Sequence, residues 1–405
     1  MSIYLISLAV FGGVIFFLVG VLLLVEAKVT QKGERRIVIN DDEAKSIRTP
    51  VGRTLLSALT ENDILIPSAC GGQGTCGTCK CVVTAGGGDI LPTELSLVGR
   101  KERLQGVRLA CQLKVKEDLT IRLPDEIFNI RKYNATVVSN DNVATFIKEL
   151  QLRLDPGEEM PFEAGAYVQI DIPEYRASFE EFNIDKRYRT AWDRFGLLKL
   201  QARAEESCYR AYSLANPPSE KLLRFTIRIA TPPPGTDAPP GVGSSFVFSL
   251  KPGDRVTVSG PYGDFFVKPT EREMCFIGGG AGMAPMRGHI RHQLESEHTE
   301  RRITFWYGAR SRQEMFYDEE FQDLARRHPN FSYHVALSEP QPEDNWEGPV
   351  GFIHQVAYDL YLSGHEDPTE IEYYLCGPPM MLSAVRKMLD SLGVEPEMIS
   401  YDEFG

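Results

Sequence analysis

Residues 69–81 read ACGGQGTCGTCKC, four cysteines in thirteen residues with glycine and threonine between them. A further thiol, Cys111, follows inside LACQLKV. The spacing is C-x5-C-x2-C, with the last cysteine thirty-one residues further on. Eight cysteines in 405 residues are too few for a disulfide scaffold, and five of them fall between Cys70 and Cys111. Such clustering favours a metal centre over bridges. The glycines let a loop curl until several sulfurs converge, and they turn backbone N–H groups toward a negatively charged group. Cysteine thiolates hold iron–sulfur clusters. A structural zinc site would pair two C-x2-4-C knuckles, whereas here the last cysteine stands alone on a predicted strand. Cys81, Cys208 and Cys275 read as small buried hydrophobes.

Upstream of this loop, residues 3–25 carry no charge over twenty-three positions. As a helix they would extend about 35 Å, enough to cross a bilayer. Met1-Ser2 offers no basic region for a signal peptide. Lys28, Lys32, Arg35 and Arg36 follow the apolar run, an asymmetry that predicts a single-pass anchor with the remainder on the cytoplasmic side. The net charge of −12 gives a nucleic-acid role no electrostatic support.

Downstream the chain divides into three segments. Residues 34–124 alternate short strands with one helical stretch, TLLSALTEN, and contain the cysteine loop. Residues 130–268 carry β-branched alternation (ATVVSN, AYVQIDI, LLRFTIRIA, DRVTVSG) with Gly/Pro turns, which predicts an antiparallel β-barrel. Residues 271–405 switch to strand–loop–helix units (MCFIGGG to APMRGHIRHQLES, EYYLCGPP to MMLSAVRKMLDSLG), the pattern of a doubly wound parallel sheet. The expected class is α+β and α/β multidomain. Residues 174–207 form an insertion, charged but with six aromatics; it reads either as a solvated excursion or as a docking surface for a partner.

The cysteine spacing is similar to that of plant-type [2Fe–2S] ferredoxins, which use C-x4-C-x2-C and a distant cysteine. The resemblance implies a β-grasp ferredoxin domain with Cys70, Cys76, Cys79 and Cys111 as ligands. The first gap here holds five residues instead of four. RAYSLANPP at 210–218 resembles the flavin strand of the ferredoxin–NADP reductase superfamily. That likeness implies FAD, with Arg210 near the pyrophosphate, Tyr212 against the isoalloxazine and Ser213 near N5. FEAGAYVQI, with Tyr167, matches another strand of the superfamily. Gly241, Val242, Gly243, Ser244 and Ser245 fall at a predicted helix N-terminus suited to phosphate oxygens. Gly280, Gly282 and Pro285 in FIGGGAGMAP form a nucleotide turn, with Pro285 expected at the first helical position. By the same resemblance Cys376, Gly377 and Pro378 in YLCGPP lie by the nicotinamide, and Phe404 covers the flavin. Arg310 and Arg312 could bind a 2′-phosphate and Glu314 a ribose hydroxyl, so the residues themselves leave NADH and NADPH both open.

Ferredoxin, flavin segment and nicotinamide segment, in that order, resemble the reductase components of multicomponent monooxygenases. With the anchor, the C-x5-C gap, GGGAGMAPMR, ALSEPQPEDNW and YYLCGPPMM added, the chain looks like a member of the F-subunit family of sodium-translocating NADH:quinone oxidoreductases of bacterial inner membranes. The resemblance implies NADH as donor and FAD and a [2Fe–2S] cluster as cofactors. It also implies the other membrane subunits and the lipid bilayer as partners. Two rival readings are a tethered reductase feeding an oxygenase and a non-catalytic redox sensor.

Overall fold

The structure, a computed structural model, describes residues 2–29, 33–233 and 235–403. Its contacts divide the chain into two units, residues 1–66 with 72–129, and residues 67–71 with 130–405.

In the first unit, helix α1 (Ser2–Val29) has apolar residues on every face, which leaves no polar stripe of the kind a surface helix shows. Phe16 and Phe17 on it are 81% and 71% exposed. Its described side chains run unbroken only over residues 10–21. Among the described residues no helix is long and apolar enough to cross a membrane, and the expected 3–25 span reaches beyond those side chains. Strands β1 (Glu34–Ile39), β2 (Asp42–Pro50), β3 (Lys80–Ala85), β4 (Val107–Leu109) and β5 (Leu119–Arg122) pair in the order β2-β1-β5-β3-β4. The β1–β5 pair is parallel and the others are antiparallel. Thr54 starts helix α2 (Leu55–Thr60) by accepting a hydrogen bond from the Ser57 amide at 3.1 Å, and the helix buries Leu55, Leu56, Ala58 and Leu59. Helix α3 (Arg100–Leu104) precedes β4. A mixed sheet with one parallel pair and a helix in the connection is the expected β-grasp arrangement.

The second unit opens with β6 (Arg131–Ala144), β7 (Ile147–Leu154), β8 (Tyr167–Ile172), β9 (Tyr175–Ser178), β10 (Gln201–Ala204), β11 (Cys208–Ser213), β12 (Leu223–Arg228) and β13 (Arg255–Tyr262). Six of these form an antiparallel sheet in the order β11-β8-β13-β6-β7-β12. Tyr133, Ala135 and Val137 alternate into its core, the period-2 burial that sequence alternation encodes. Edge strands β11 and β12 have no ladder between them among the described residues, so the sheet is open where a closed barrel was expected. Helix α5 (Val242–Ser249) packs on its core.

The insertion holds the β9–β10 pair and helix α4 (Lys186–Arg194). Its aromatics point inward. Phe179, Phe182, Tyr188 and Trp192 build a small core with Ile229 and Phe248, and Trp192 donates to the Thr145 carbonyl at 2.7 Å. Of the six, Phe195 is the exposed one. The observation that motivated a docking surface therefore has a different cause, a satellite core.

The rest of the unit is a parallel sheet of β14 (Met274–Gly279), β15 (Ile303–Ala309), β16 (Phe331–Leu337), β17 (Glu372–Gly377) and β18 (Ile399–Glu403), ordered β16-β15-β14-β17-β18. Helices α6 (Met283–Arg291), α7 (Asp318–Arg327), α8 (Ile353–Leu360) and α9 (Pro379–Ser391) accompany it. Every residue of β14 and β17 is buried, as expected for strands covered on both faces. An ionic lattice joins the two sheets. Buried Arg287 on α6 donates to the Ala215 carbonyl at 2.8 Å, to Glu220 at 3.1 Å and to Glu320 at 3.0 Å, and its guanidinium lies over the Tyr317 ring.

Candidate functional site

The cysteine loop curls as its glycines allow: Gly74 and Gly77 hold φ of +76° and +72°, in the left-handed region. Cys76 lies 3.1 Å from the Thr78 hydroxyl. The Cys79 thiol is pushed far up, chiefly by its hydrogen bond with the Cys111 thiol and by burial, with Cys76 adding to the effect. Cys79 and Cys111 are therefore neighbours. Cys70 lies on residues 67–71, which group with the second unit. Among the described residues no group of three or more His, Cys, Asp or Glu is drawn together tightly enough to hold a metal. None of the described cysteines is in a disulfide. Cys81 is buried, as expected, with its thiol donating to the Arg108 carbonyl at 3.8 Å.

The first unit also holds an arrangement that sequence reading missed. Glu94 is fully buried and accepts from Arg108 Nη2 at 2.8 Å and from the Leu109 amide at 2.8 Å. Burial alone would raise its pKa, but hydrogen bonds from Arg108, Leu109 and Leu91 hold it below the ordinary value. A lone loop glutamate carries no local signal of this partner fourteen residues away.

In the second unit, β11 carries Arg210, Tyr212 and Ser213, and β8 sets Tyr167 opposite Ser213. Tyr167 also stacks on Tyr262, ring centroids 5.3 Å apart. Helix α5 starts at Val242 with Gly241 as its N-cap, so Gly241 to Ser245 do form a helix start. A Cβ built on Gly243 would lie 2.6 Å from Arg210 Cγ and 2.6 Å from the Tyr212 hydroxyl oxygen. Arg210 and Tyr212 thus face the first turn of α5 across a gap that only glycine leaves open. Burial pushes the Tyr212 hydroxyl pKa up, with Arg210 opposing. Ser244 is already engaged, accepting from the Ala230 amide at 3.0 Å. Ser245 Oγ is buried without a hydrogen bond. Its neighbour Tyr175, from the insertion, donates instead to the Val242 carbonyl at 2.6 Å.

The glycine turn after β14 meets the Cys376 segment. Gly278 pairs with Cys376 across β14–β17, and a Cβ on Gly282 would collide with the Cys376 carbonyl. Gly280 takes φ +56°. Helix α6 begins at Met283, so Pro285 is its third residue, where the missing N–H still costs no intrahelical bond. Pro378 is the N-cap of α9. Cys376 is wholly buried and its pKa is raised, by burial first and by Asp402 second. Asp402 is its register partner on β18 and accepts from Ser213 Oγ at 2.9 Å. Burial raises the Asp402 carboxyl pKa, the Ser213 hydrogen bond opposes this, and Asp264 adds to it. Ser213 and Cys376, distant in sequence, are thereby linked through Asp402, a residue that sequence reading passed over, whose carboxyl holds Ser213 and whose strand runs beside Cys376. The signal available was its place two residues before Phe404, which itself lies outside the described residues.

At the end of β15, Arg310 Nη2 pairs with Glu339 at 2.6 Å. The Arg312 amide and guanidinium bond Asp344, each at 3.0 Å. Glu314 accepts from the Thr145 amide at 3.0 Å and from the Thr145 hydroxyl. It therefore ties the β6–β7 turn and does not stand open to a ribose.

Three family models match the chain: a 2Fe-2S iron-sulfur cluster binding domain over residues 38–116, an oxidoreductase FAD-binding domain over 194–267 and an oxidoreductase NAD-binding domain over 276–387. The chain is 53% identical over 401 residues to the F subunit of the Na(+)-translocating NADH-quinone reductase of Klebsiella pneumoniae, covering 98% of each chain. It is 51% identical over 404 residues to the protein of the same name from Actinobacillus succinogenes, covering 99% of each. Among solved structures, the cytochrome P-450 reductase GcoB of Amycolatopsis matches with a TM-score of 0.64 at 27% identity, over 91% of this chain and 98% of that one.

Proposed function

The chain belongs to the F-subunit family of Na(+)-translocating NADH-quinone reductases, and from that premise we propose how its residues divide the work. It is the oxidoreductase component through which NADH electrons enter the complex, with FAD and a [2Fe–2S] cluster as cofactors. Bound, the flavin would accept the hydride pair from NADH and the cluster would take electrons singly.

The residues suit those groups. The cradle of Gly243, Arg210 and Tyr212, with the buried hydroxyl of Ser245, fits a pyrophosphate at the N-terminus of α5. Arg210 balances its charge, and the backbone amides of Val242, Gly243 and Ser244 supply donors, whereas the Gly241 and Ser245 amides already bond the Ala230 and Gly241 carbonyls. Tyr167, Tyr212 and Ser213 flank the isoalloxazine. Gly280, Gly282 and Pro285 let the dinucleotide phosphates approach, Cys376, Gly377 and Pro378 shape the nicotinamide pocket, and Phe404 covers the flavin. Asp402 holds the Ser213 hydroxyl in one rotamer and is the group at which a proton can be stored. Soft thiolate ligands suit iron–sulfur chemistry, and by the cysteine spacing Cys70, Cys76, Cys79 and Cys111 are the ligands in this reading.

The working segments are 34–124 for the cluster, 130–268 for FAD and 271–405 for NADH. Residues 3–25 act as a single-pass anchor in the bacterial inner membrane, with the other segments cytoplasmic and partner subunits receiving the electrons. The anchor's support is the uncharged run and the exposure of Phe16 and Phe17.

The observation that carries the reading is the Ser213–Asp402–Cys376 bridge, which joins the flavin strand to the nicotinamide segment. The test is an absorption spectrum of purified protein with flavin, iron and acid-labile sulfide counted, alongside NADH oxidation with ferricyanide. Rapid oxidation by a yellow, sulfide-bearing protein is expected. Absence of both flavin and labile sulfide, or of NADH oxidation, overturns the reading.

A further inference from the structure

Strand order β16-β15-β14-β17-β18 makes β14 the first strand of the nucleotide fold and β15 its second. In such folds the residue just beyond the second strand faces the adenosine ribose, where an acid favours the free 2′-hydroxyl and an arginine favours a 2′-phosphate. That position here is Arg310, immediately after Ala309 ends β15. Taken alone, it would select the phosphorylated nucleotide. Its guanidinium is instead engaged by Glu339 at 2.6 Å. The backbone brings the two residues together. Ala309 lies opposite Leu337 in the β15–β16 ladder, the Ser338 amide donates to the Ala309 carbonyl at 2.9 Å, and the Glu339 amide donates to the Arg310 carbonyl at 2.7 Å. Backbone register thus sets these two exposed side chains side by side.

We propose that Glu339 is the specificity-determining residue for the nicotinamide nucleotide: it occupies Arg310 and sets a negative charge where a 2′-phosphate would sit. An incoming 2′-phosphate must both displace the carboxylate and approach it, and like charges at this range repel. A ribose hydroxyl meets neither obstacle. Arg312 does not compensate, since Asp344 already bonds its amide and its guanidinium. The inference rests on the NADH-oxidising reading above and adds to it the reason one nucleotide is excluded.

The test uses full-length protein loaded with FAD, in wild-type, Glu339→Gln and Glu339→Gln/Arg310→Ala forms. Ferricyanide reduction gives kcat/KM for NADH and NADPH. Calorimetric titration with adenosine 2′,5′-bisphosphate and with AMP reads the subsite without turnover. Glu339→Gln should raise kcat/KM for NADPH, and affinity for the bisphosphate, by about tenfold or more, one charge-assisted contact's worth. NADH and AMP should change by less than about threefold. The double variant should lose the gain. Wild type that oxidises NADH while Glu339→Gln gains nothing toward NADPH or the bisphosphate refutes this inference alone. Wild type that oxidises neither nucleotide refutes the functional reading and this inference with it.

Discussion

Replacing Lys148 with methionine should make the protein more stable at neutral pH. Lys148 on β7 has no exposed surface. Its ammonium makes one long hydrogen bond, to the Phe248 carbonyl at 3.4 Å near the end of α5, and lies 5.3 Å from the Phe248 ring centroid. Burial lowers its pKa from 10.5 to about 8, against a smaller opposing pull from Asp141. The shift from 10.5 to about 8 corresponds to roughly 3 kcal/mol of net penalty on the charged form. At pH 7 the amine is protonated folded and unfolded, so nearly the whole penalty is in force. Between about 8 and 10.5 the unfolded chain binds more protons than the native one, so wild-type stability rises with pH across that window. Methionine keeps the length and removes the charge. It forfeits the long hydrogen bond and the ring contact, together about 1 kcal/mol. The net expectation is a gain of about 2 kcal/mol at pH 7, or roughly 4–8 °C in Tm. Thermal unfolding of wild type and Lys148→Met from pH 7 to 10.5 decides it. The variant should start higher and lose the upward slope. A variant less stable at pH 7, or one that keeps the slope, would mean that the ammonium is better solvated than its burial implies.

Cys70→Ala should abolish the visible and EPR signals of the cluster while leaving reduction of the flavin by NADH nearly intact; loss of flavin reduction as well would show that the two functions are not separable. Asp402→Asn should slow hydride transfer, followed as flavin bleaching in stopped flow, on the order of tenfold through loss of the Ser213 rotamer. The raised Asp402 pKa means that the native state holds its proton longer than the unfolded chain, so wild-type stability falls as pH rises from 3.8 through the raised value. The Asp402→Asn variant should lack that fall, and an unchanged acid profile would remove Asp402 from the account. Arg287→Met should cost about 2 kcal/mol, less than a fully isolated buried pair, because Glu220 keeps Arg224 and Arg291 as partners. A Tm drop of roughly 4–8 °C would register that loss, and no change would mean that the lattice is neutral.

Legibility in the sequence followed how local each signal is. Residues 241–245 announce a helix start because glycine and serine at an N-terminus have a local physical reason, and α5 begins there. The parallel sheet was readable because β14 and β17 are continuous apolar runs followed by Gly and Pro breaks. What could not be read depends on the meeting of remote segments. Asp402 becomes chemically interesting only because β18 lies beside β17 and opposite Ser213. Glu94 and Arg108 are two ordinary surface residue types until the fold buries both. The closed barrel failed for the same reason: alternation specifies strands and their faces, whereas closure depends on whether β11 and β12 meet.

The insertion shows how composition can mislead about direction. Aromatics amid charge suggest a sticky exterior, yet here they furnish an interior, and what that interior supports lies next to the chemistry. Tyr175 reaches from the insertion to the Val242 carbonyl and so braces the first turn of α5. Trp192 binds the Thr145 carbonyl, while the amide and hydroxyl of the same Thr145 donate to Glu314 beside the nucleotide sheet. One residue of the β6–β7 turn is thus held from two sides, by the insertion and by the segment after β15. Pulling the insertion away would loosen the cradle of Gly243, Arg210 and Tyr212 and free the Glu314 segment together. Its deletion should therefore weaken flavin retention and nucleotide binding in parallel, an effect opposite to that of removing a docking surface, which would leave NADH oxidation by ferricyanide intact. Its buried rings of Phe182 and Trp192 pack on Phe248 of α5, the flavin strand's partner helix.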